Sequence, residues 1–579
     1  MNRINEIFEK DKSLPIISEE DKIELMIEHF LSTGPPVIKN KRKDASRALE
    51  LIKSANDSFK LMRSMYLITM YTEAIMNAPI GSPELARGFA SRSAALCNAR
   101  LFEDSLKDID RAMAIGYPDH LKGALYLRRA KNLLSLDPKM RPEVQEAIAE
   151  ARRLMDKVDV DSEKKIDKAL KKLRQKDSFS EPYKKWDSHK FLPPVPNDNP
   201  LIPRASGGIA LNYNEEFGRH VIATRDIKAG ETLILAKAYV SAVKVDKMAK
   251  FCWYCLQRTW ASVPCNLCIN VVFCSEECRD KAWNEYHDIE CRFLTAIKTE
   301  NVDPTDILSI KMTIKAVKEA GSLEKLKEQV DMLDSMTDVA RSVELLYYLM
   351  KSTKMFGKKI VNLQKPRNNQ WVNFMLKLIF RHKEISHHAV ELRVRKAEDH
   401  APIRSYILIP LYGFLNHSCD PNFHKMTSGD MNALISTRYI KKGEQIFMNY
   451  GSRFQMMDKW SRAAYLERHN FKCHCIPCVN NWGPNSKLPS FMEQPLPITA
   501  KQFLAVIALD ASQHVSKFYD DNLNVDRREK PDSYFLECIN KFKGFLNFYG
   551  GIVSYPCQEI EDCKQALTDA LKLVDDHSL

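Results

Sequence analysis

The sequence predicts an α+β multidomain protein, with helical repeats first, a β-rich core in the middle and a helical domain at the end. Three observations lead to this fold class: a repeat of roughly 35 residues in the first third, two similar β-rich segments far apart in the chain, and a dense run of metal-ligand spacing between them. The chain has 579 residues, 44% of them hydrophobic. This is enough for two to four domains with their own cores.

Three similar segments in the first third of the chain indicate helical repeats. YTEAIMNAP at 71–79 and IDRAMAIGYP at 109–118 each place an Ala three residues after a bulky residue, and EAIAEARRL at 146–154 resembles them. Their spacings of 38 and 35 residues are close to the roughly 34 of a helix-turn-helix repeat, and 85–99 would then be the first helix of the second repeat. Residues 45–157 resemble tetratricopeptide (TPR) repeats, which would offer a concave surface to protein partners. A generic helical bundle is the alternative.

A β core interrupted by other modules is predicted after the repeats. The segment at 186–204 holds five prolines and is expected to be a linker. FGRHVIATRDIKAGETLILA at 217–236 and ALISTRYIKKGEQIFMNYG at 433–451 each place β-rich runs around a Lys-Gly turn that is followed by Glu. Between them, 293–395 has helical periodicity and is expected to be a helical insertion.

Two zinc sites are predicted from seven cysteines and one histidine within forty residues. Thiolates with one imidazole form closed tetrahedral zinc sites, and repeated Cys-x-x-Cys spacing favours metal over disulfides in a reducing compartment. The predicted ligands are Cys252, Cys255, Cys265, Cys268, Cys274, Cys278, His287 and Cys291.

Helical geometry limits how these ligands can pair. If Ser275 caps a helix that runs to about residue 291, Cys278 and His287 face opposite sides of it, whereas His287 and Cys291 share a face. One zinc therefore should not bind both Cys278 and His287.

The order and spacing of the ligands resemble the MYND zinc finger. MYND fingers often bind proline-containing peptides, so the resemblance implies structural zinc and a protein-binding surface. Its interleaved pattern would assign Cys252, Cys255, Cys274 and Cys278 to one zinc, and Cys265, Cys268, His287 and Cys291 to the other.

The whole series of motifs resembles the SET and MYND family of protein-lysine methyltransferases, in particular its TPR-bearing class. FGRH, the finger, the helical insertion, NHSCDPN, GEQIFMNYG and CHCIPC follow one another in that family's order. The resemblance covers about residues 45–482, and a helical tail stands in the place of the family's C-terminal domain. It implies TPR-like repeats at 45–157, a linker at 186–204, the N-terminal part of the SET domain at 205–250, the MYND finger at 252–291, the helical insertion at 293–395, the C-terminal part of the SET domain at 400–452, a post-SET zinc segment at 470–482 and a helical C-terminal domain at 495–579.

The resemblance also implies a binding site for S-adenosylmethionine in the SET core. Gly218 and Arg219 would lie along the methionine part of this cofactor, where Gly permits close backbone approach. Asn416 and His417 would hold its amino group and its adenine side, and Phe471 would stack on the adenine.

Tyr450 is the catalytic residue that the resemblance implies, with its hydroxyl directed at the methyl group and the substrate amine. The sequence departs from the family's pattern at three places. His220 stands where the family often has Gly, EISHHAVEL at 384–392 lacks an Asn-containing turn, and Gly413 stands where a hydroxyl residue is common. These departures affect the geometry of the target lysine more than cofactor binding.

The stretch FLNHSCDPN at 414–422 allows several interpretations. It contains an N-x-S glycosylation sequon, which would be silent in an intracellular chain, and Cys419 beside His417 could be a nucleophile with its base. The CHCIPC segment offers three thiolates where zinc requires four, and the family resemblance supplies Cys419 as the fourth. The third zinc would then bind Cys419, Cys473, Cys475 and Cys478.

Composition restricts the class of partner. Lys and Arg exceed Asp and Glu by 87 to 75, but the surplus is spread thinly, so direct nucleic-acid binding is not expected. KNKRK at 39–43 is a weak nuclear-import candidate, and KKIDKALKKLRQK at 164–176 is expected to be a solvated helix face or linker. The first residues lack the apolar region of a secretory signal, and no long uncharged apolar run occurs, so no membrane is expected. We expect a cytoplasmic and nuclear protein.

Two functions fit these features. The first is a protein-lysine N-methyltransferase acting on a histone or non-histone lysine. The alternative is a catalytically weak SET scaffold whose TPR and MYND surfaces serve as a protein-binding adaptor in transcriptional regulation. The joint occurrence of Asn416, His417, Tyr450 and Phe471 favours the enzyme.

Overall fold

The computed structural model describes most of the chain and divides it into two compact units. The first unit comprises residues 1–183, 240–393 and 402–408, and the second comprises 184–239, 394–401 and 409–579. The described residues are 42–59, 61–137, 142–155, 182–183, 187–291, 294, 304–322, 324–326, 390–393, 403–467, 471–522 and 530–575.

The secondary structure is mixed, as predicted. Among the described residues, the helices are α1 Ala45–Asp57, α2 Ser64–Asn77, α3 Pro83–Asn98, α4 Phe102–Ile115, α5 Asp119–Leu136, α6 Pro142–Met155, α7 Glu276–Ala282, α8 Asp288–Glu290, α9 Pro304–Ala320, α10 Lys459–Glu467, α11 Ile476–Val479, α12 Ile498–Asn522, α13 Asp532–Gly550 and α14 Gln558–Val574. The strands are β1 Ile209–Asn214, β2 Gly218–Ala223, β3 Thr232–Lys237, β4 Val240–Val243, β5 Val263–Pro264, β6 Val272–Phe273, β7 Val390–Arg393, β8 Ile403–Leu408, β9 Phe423–Ser428 and β10 Met431–Ser436.

The first unit begins with helical repeats, which confirms that prediction. Helix α1 packs on α2, α3 on α4 and α5 on α6. Each of the three similar segments lies on the second helix of a pair, and their small residues Ala74, Ala112 and Ala147 are buried. Small side chains at these positions allow the paired helices to approach closely.

Local signals in the sequence set the ends of several repeat helices. Asp44 and Ser82 each accept a hydrogen bond from the backbone NH three residues ahead, so they cap α1 and α3. Pro83 occupies the first position of α3, where its missing NH costs nothing. Gly116 has a φ of 95°, a left-handed conformation that ends α4.

The buried guanidinium of Arg92 links two repeat helices, α3 and α4, and also bonds to the cysteine-rich segment of the first unit. The guanidinium of Arg92 donates to the Asp108 carboxylate at 2.7 and 2.9 Å, and it also donates to the carbonyl oxygen of Ser262 at 2.6 Å. Arg92 and Asp108 are fully buried. The same unit contains the β5–β6 hairpin and a three-stranded antiparallel sheet in the order β4-β8-β7, against which α9 packs.

The second unit brings together the two β segments that the sequence predicted as similar. Strand β10 pairs antiparallel with both β3 and β9, while β1 and β2 form a separate antiparallel hairpin. Further bridges join Ile222 to Gln445 and Ile227 to Ile440. Segments about 200 residues apart in sequence therefore lie side by side.

The C-terminal part of the second unit is helical, as predicted. Helices α12, α13 and α14 share a core with Met426 and Ala433 of the sheet. The side chain of Phe191 belongs to this core, and Ser188–Phe191 forms a short 3-10 helix. The prediction of a simple linker at 186–204 was therefore wrong in this part, because an aromatic side chain within it packs into the core.

Some predictions fall on residues outside the described ranges. These include the basic segment at 164–176, most of the helical insertion at 293–395, and residues 384–389 of EISHHAVEL. Of the insertion, the structure describes α9 and β7 together with a few further residues. Within the described part of the chain, no helix is both long and apolar enough to cross a membrane.

Candidate functional site

The structure brings the eight predicted ligands of the cysteine-rich segment together as two tetrads, and in each the ligand atoms lie within 4.8 Å of one another. The tetrads are Cys252, Cys255, Cys274 and Cys278, and Cys265, Cys268, His287 and Cys291. Four zinc–sulfur bonds of about 2.3 Å in a tetrahedron separate the sulfur atoms by about 3.8 Å. The Sγ atoms of Cys255 and Cys274 are 3.6 Å apart, and those of Cys265 and Cys291 are 3.8 Å apart. Both tetrads therefore fit tetrahedral zinc.

The helical segment that carries Cys278 and His287 contains a π turn that the sequence prediction missed. Ser275 caps α7 as expected, but Trp283–His287 forms a π turn between α7 and α8. A π turn changes the angular phase of the residues that follow it. The predicted separation of the two ligands holds for another reason, because nine residues of helix place them about 13 Å apart along the axis.

Buried neighbours orient the imidazole of His287. Its Nδ1 donates to the Glu290 carboxylate at 2.9 Å, while its Nε2 lies 3.2 Å from Cys265 Sγ and 3.8 Å from Cys268 Sγ. A zinc-binding histidine is ordinarily held in this way by a second hydrogen bond. Lys311 Nζ is 4.0 Å from the same carboxylate, and burial lowers the pKa of Lys311 to about 8.

A third tetrad forms in the second unit from residues far apart in sequence. Its members are Cys419, Cys473, Cys475 and Cys478. Cys419 Sγ lies 3.6 Å from Cys478 Sγ, again close to the spacing expected around zinc. The side chain of Cys419 is fully buried within this cluster, and a position among metal ligands does not suit a substrate nucleophile.

Arg462 supplies a positive charge beside this third tetrad. It is fully buried on α10 and donates to the backbone oxygens of Met457 and Trp482 at 2.7 Å each. It also approaches Cys478 Sγ at 3.7 Å. Since four thiolates exceed the charge of one zinc ion by two, a buried guanidinium there is electrostatically favourable.

Two segments of the second unit cross next to the third tetrad. The backbone NH of Ser418 donates to the Met448 carbonyl, and the NH of Met448 donates to the Asn416 carbonyl, both at 2.9 Å. The side chain of Asn422 fixes the second segment, because it donates to the Gln445 carbonyl at 2.8 Å and accepts from the Phe447 NH at 3.0 Å. Residues 416–418 and Met448 therefore lie side by side.

Asn416 connects the crossing to the edge of the β1–β2 hairpin. Its Nδ2 donates to the Phe217 carbonyl and to Gln445 Oε1, at 3.2 Å each. Because Nδ2 makes both of these bonds, the amide oxygen Oδ1 is left available as an acceptor for a ligand. Gly218 follows Phe217 directly and has a φ of 62°, so the hairpin edge turns there in a conformation that suits glycine.

Three predicted aromatic residues meet beside Asn416. The ring centroids of His417 and Tyr450 are 5.1 Å apart, those of His417 and Phe471 are 5.8 Å apart, and those of Tyr450 and Phe471 are 6.2 Å apart. Tyr450 donates its hydroxyl to the Leu415 carbonyl at 2.9 Å. Phe471 is partly exposed, so part of its ring is available for stacking.

The surroundings of Tyr450 favour a neutral phenol, and they also suit a cationic ligand. Burial raises the pKa of Tyr450 to about 12, so the hydroxyl stays protonated at ordinary pH. Aromatic faces and carbonyl oxygens suit sulfonium and ammonium groups. The arrangement can therefore bind a cationic ligand without supplying a strong base of its own.

Arg219 and His220, which follow Gly218 on β2, differ in their exposure to solvent. Arg219 is exposed on β2. His220 is buried, and its Nδ1 lies 2.9 Å from the Gly218 carbonyl while its Nε2 lies 3.4 Å from Asn212 Nδ2. Since a carbonyl only accepts, Nδ1 donates and Nε2 accepts from Asn212. The hairpin thus accommodates the imidazole that replaces the family's glycine.

Sequence reasoning missed the residues that hold the predicted ones in place. Asn422 closes the quoted motif NHSCDPN, three residues after Cys419, and was the easiest to find. Gln445 lies within GEQIFMNYG, but nothing in that sequence shows that its side chain would contact Asn416. Glu290 stands between two predicted zinc ligands, at the three-residue spacing from His287 that a helix allows.

Comparison with known proteins gives a SET domain and relatives in one family. The family model described as the SET domain matches residues 218–451. Protein-lysine N-methyltransferase SMYD4 of Gallus gallus is 32% identical over 254 residues, which cover 39% of this chain and 34% of that protein. The SMYD4 protein of Danio rerio is 22% identical over 553 residues, which cover 77% of this chain and 67% of that protein.

A yeast relative combines the two domain names. The SET domain and MYND-type zinc finger protein 6 of Schizosaccharomyces pombe is 23% identical over 273 residues, which cover 46% of this chain and 51% of that protein. The matches to the Gallus gallus and Homo sapiens SMYD4 proteins each span about a third of the length of those relatives.

Proposed function

The chain belongs to the SET and MYND family, and we propose that it is a protein-lysine N-methyltransferase that uses S-adenosylmethionine. One observation carries the proposal: Asn416, His417, Tyr450 and Phe471 meet beside the Gly218 edge, at the crossing of two chain segments. Gly218 is about 200 residues from Asn416 in sequence, and Phe471 is 55 residues from Asn416.

The residues have distinct proposed roles toward the cofactor. Oδ1 of Asn416 accepts a hydrogen bond from the ammonium of the methionine part, and the positive-φ turn at Gly218 lets the backbone approach closely. Phe471 offers its ring to the adenine. The exposed Arg219 is available to the carboxylate of the methionine part. When bound, S-adenosylmethionine supplies an electrophilic methyl group on a sulfonium.

Tyr450 and its neighbours act on the substrate lysine. The attacking amine must be neutral, and the ordinary lysine pKa of about 10.4 means that a proton has to leave first. The neutral phenol of Tyr450 and the Leu415 carbonyl that holds it present oxygen atoms to the reacting groups. Alignment of the amine with the methyl group then supplies much of the rate, as in other transfer reactions between bound groups. The bond from carbon to the sulfonium sulfur would break as the bond to nitrogen forms, so the products would be a methylated ammonium group that carries the positive charge and a neutral thioether.

We propose that three zinc ions support this site structurally. All twelve ligand positions are occupied by Cys or His side chains, so none of the three tetrads keeps an open position for a substrate. The third tetrad lies beside the crossing and ties the segment around Cys419 to the segment at 473–478.

Methyl transfer from radiolabelled S-adenosylmethionine to a protein array tests the proposed activity. The wild type should label a limited set of proteins, and Tyr450→Phe should lower the rate by about a hundredfold, the size of effect seen when one polar group oriented at the transition state is removed. Tyr66→Phe is a matched control, since Tyr66 is exposed on α2 of the first unit. Absence of transfer by a zinc-loaded, folded wild type would contradict the proposal.

One observation favours the adaptor as a second candidate function. A groove of about 600 Å³ is lined by residues of α1, α3 and α5, together with a few residues between helices. Ala90, Ser91 and Ala94 keep its floor open, and Tyr117 and Arg128 provide polar groups at its side. We propose that protein partners bind there, that the finger contributes a second surface for proline-containing peptides, and that the protein acts in the cytoplasm and nucleus.

A further inference from the structure

The imidazole of His417 lies between the third tetrad and Tyr450, and both of its ring nitrogens are engaged within the protein. The backbone NH of Tyr450 lies 3.1 Å from Nδ1, and Nε2 lies 3.3 Å from Cys419 Sγ. A backbone NH can only donate, so Nδ1 carries the lone pair. The neutral ring therefore has its proton on Nε2, which donates to the sulfur of Cys419.

The surroundings keep this ring in one orientation. His417 is only 8% exposed, and the rings of Tyr450 and Phe471 contact it. The parallel hydrogen bonds between residues 416–418 and Met448 hold the backbone on either side of it. A rotation of the imidazole would break the bond to Cys419 and the bond to Tyr450 together.

We propose that His417 is a positioning residue that couples the third zinc site to Tyr450. Zinc fixes the Sγ of Cys419, the sulfur fixes Nε2 of His417, and Nδ1 in turn fixes the peptide group of Tyr450. Without the metal, the Cys419 side chain can change rotamer, and the imidazole then loses its hydrogen bond to the Cys419 sulfur. The functional consequence rests on the proposed methyltransferase activity, whereas the coupling itself does not.

The coupling gives His417 a role different from the one that the family resemblance implies. Because both ring nitrogens are engaged, the imidazole has no further N–H or lone pair for the adenine side of the cofactor. Contact of His417 with the cofactor would then come from its backbone or its ring face. The zinc site becomes part of the system that orients the catalytic residue.

Two substitutions separate the two hydrogen bonds. In His417→Asn, the amide oxygen can replace Nδ1 and accept from Tyr450, but nothing reaches Cys419. In His417→Gln, the amide nitrogen can replace Nε2 and donate to Cys419, but the acceptor for Tyr450 is lost. His474→Gln is a matched control, because His474 lies between two ligands of the same tetrad and is exposed.

The first readout is the rate at which a chelator removes the third of three zinc ions from the full-length protein. We expect His417→Asn to speed this step about tenfold, in line with loss of one hydrogen bond to a charged sulfur. His417→Gln and His474→Gln should stay within about twofold of the wild type. Equal rates for the Asn and Gln variants would overturn the proposed bond between Nε2 and Cys419.

The second readout is the backbone amide resonance of Tyr450 in protein labelled with ¹⁵N-tyrosine, assigned with Tyr450→Phe. Cys473→Ser removes a ligand other than Cys419, and it should lower the zinc content by one and shift this resonance. The shift should disappear when Cys473→Ser is made in the His417→Asn background. A Tyr450 resonance that is the same with two and three zinc ions would overturn the coupling.

These measurements need no cofactor, so they distinguish the coupling from the proposed activity. Failure of the wild type to bind S-adenosylmethionine would contradict the activity and leave the coupling to be judged by zinc release and the Tyr450 resonance. If the His417 variants do not fold, the wild type loaded with cadmium in place of zinc replaces them. The longer metal–sulfur bonds should move Cys419 Sγ and shift the Tyr450 resonance, and an unchanged resonance would overturn the proposal.

Discussion

Arg92 is a fully buried cation that pairs with Asp108 between α3 and α4 and donates to Ser262 of the finger. Asp108→Asn should destabilise this part of the first unit strongly. The substitution keeps the size of the side chain but leaves the guanidinium without its carboxylate, although Thr72 and Ser262 still accept from it. Removing one partner of a buried pair costs about 3–5 kcal/mol. Arg92→Met with Asp108→Leu removes both charges and should cost much less than the single change.

Native-state hydrogen exchange with mass spectrometry measures this loss locally. Since about 1.4 kcal/mol corresponds to a factor of ten, amides of α3 and α4 should exchange about a hundred- to several-thousandfold faster in Asp108→Asn. Glu50→Gln is the control, because Glu50 pairs with Arg47 at the surface, where both side chains are more than half exposed, and such pairs contribute about 0–1 kcal/mol. Exchange in Asp108→Asn within twofold of the wild type would refute the reasoning, as would a double variant that is worse than the single one.

Three further predictions concern the metal sites and the catalytic residue. Metal analysis of the purified protein should find three zinc ions per chain, and Cys419→Ser should lower the count by one. A count of two zinc ions in the wild type would mean that the third site does not form. Glu290→Gln should weaken zinc binding by the tetrad of His287 about ten- to a hundredfold in competition with a chelator, whereas Gln at the exposed Glu277 should have no effect. Because burial raises the pKa of Tyr450 to about 12, methyl transfer should rise from pH 7 to 10 as the substrate amine loses its proton, and a fall below pH 10 in folded protein would contradict a neutral Tyr450.

The finger was predictable because its information is local. Eight ligands within forty residues predict two tetrahedral sites, and the helix capped by Ser275 separates Cys278 from His287 along its axis. The full division into two tetrads came from the family resemblance. The π turn was not predictable, since it depends on how Trp283–His287 pack in the unit rather than on any residue in that segment. The prediction that one zinc does not bind both Cys278 and His287 still held, because the axial distance between them does not depend on helical phase.

The third tetrad could not be derived from spacing. Cys419 is 54 residues before Cys473, and only the family resemblance joined them before the structure placed their sulfur atoms together. The same limit applies to the contacts of Asn416 with Phe217 and Gln445, which come from segments about 200 and 30 residues away. Such contacts arise from tertiary packing, so single-sequence patterns identify the residues but not their partners.

The linker shows the opposite case, in which a local signal misled. The prolines at 186–204 break helical periodicity and predicted a linker. Phe191 nonetheless lies in the core of the second unit. Burial of one aromatic ring contributes about 2–3 kcal/mol, enough to hold a short segment against a helical domain.

Calorimetric titration of the full-length, zinc-loaded protein with S-adenosylmethionine tests the central claim most directly. We expect one saturable site per chain, with binding that Asn416→Ala weakens at least tenfold and Tyr66→Phe leaves unchanged. Absence of binding at millimolar cofactor, in protein that retains three zinc ions, would contradict the claim and leave the adaptor as the function of the chain.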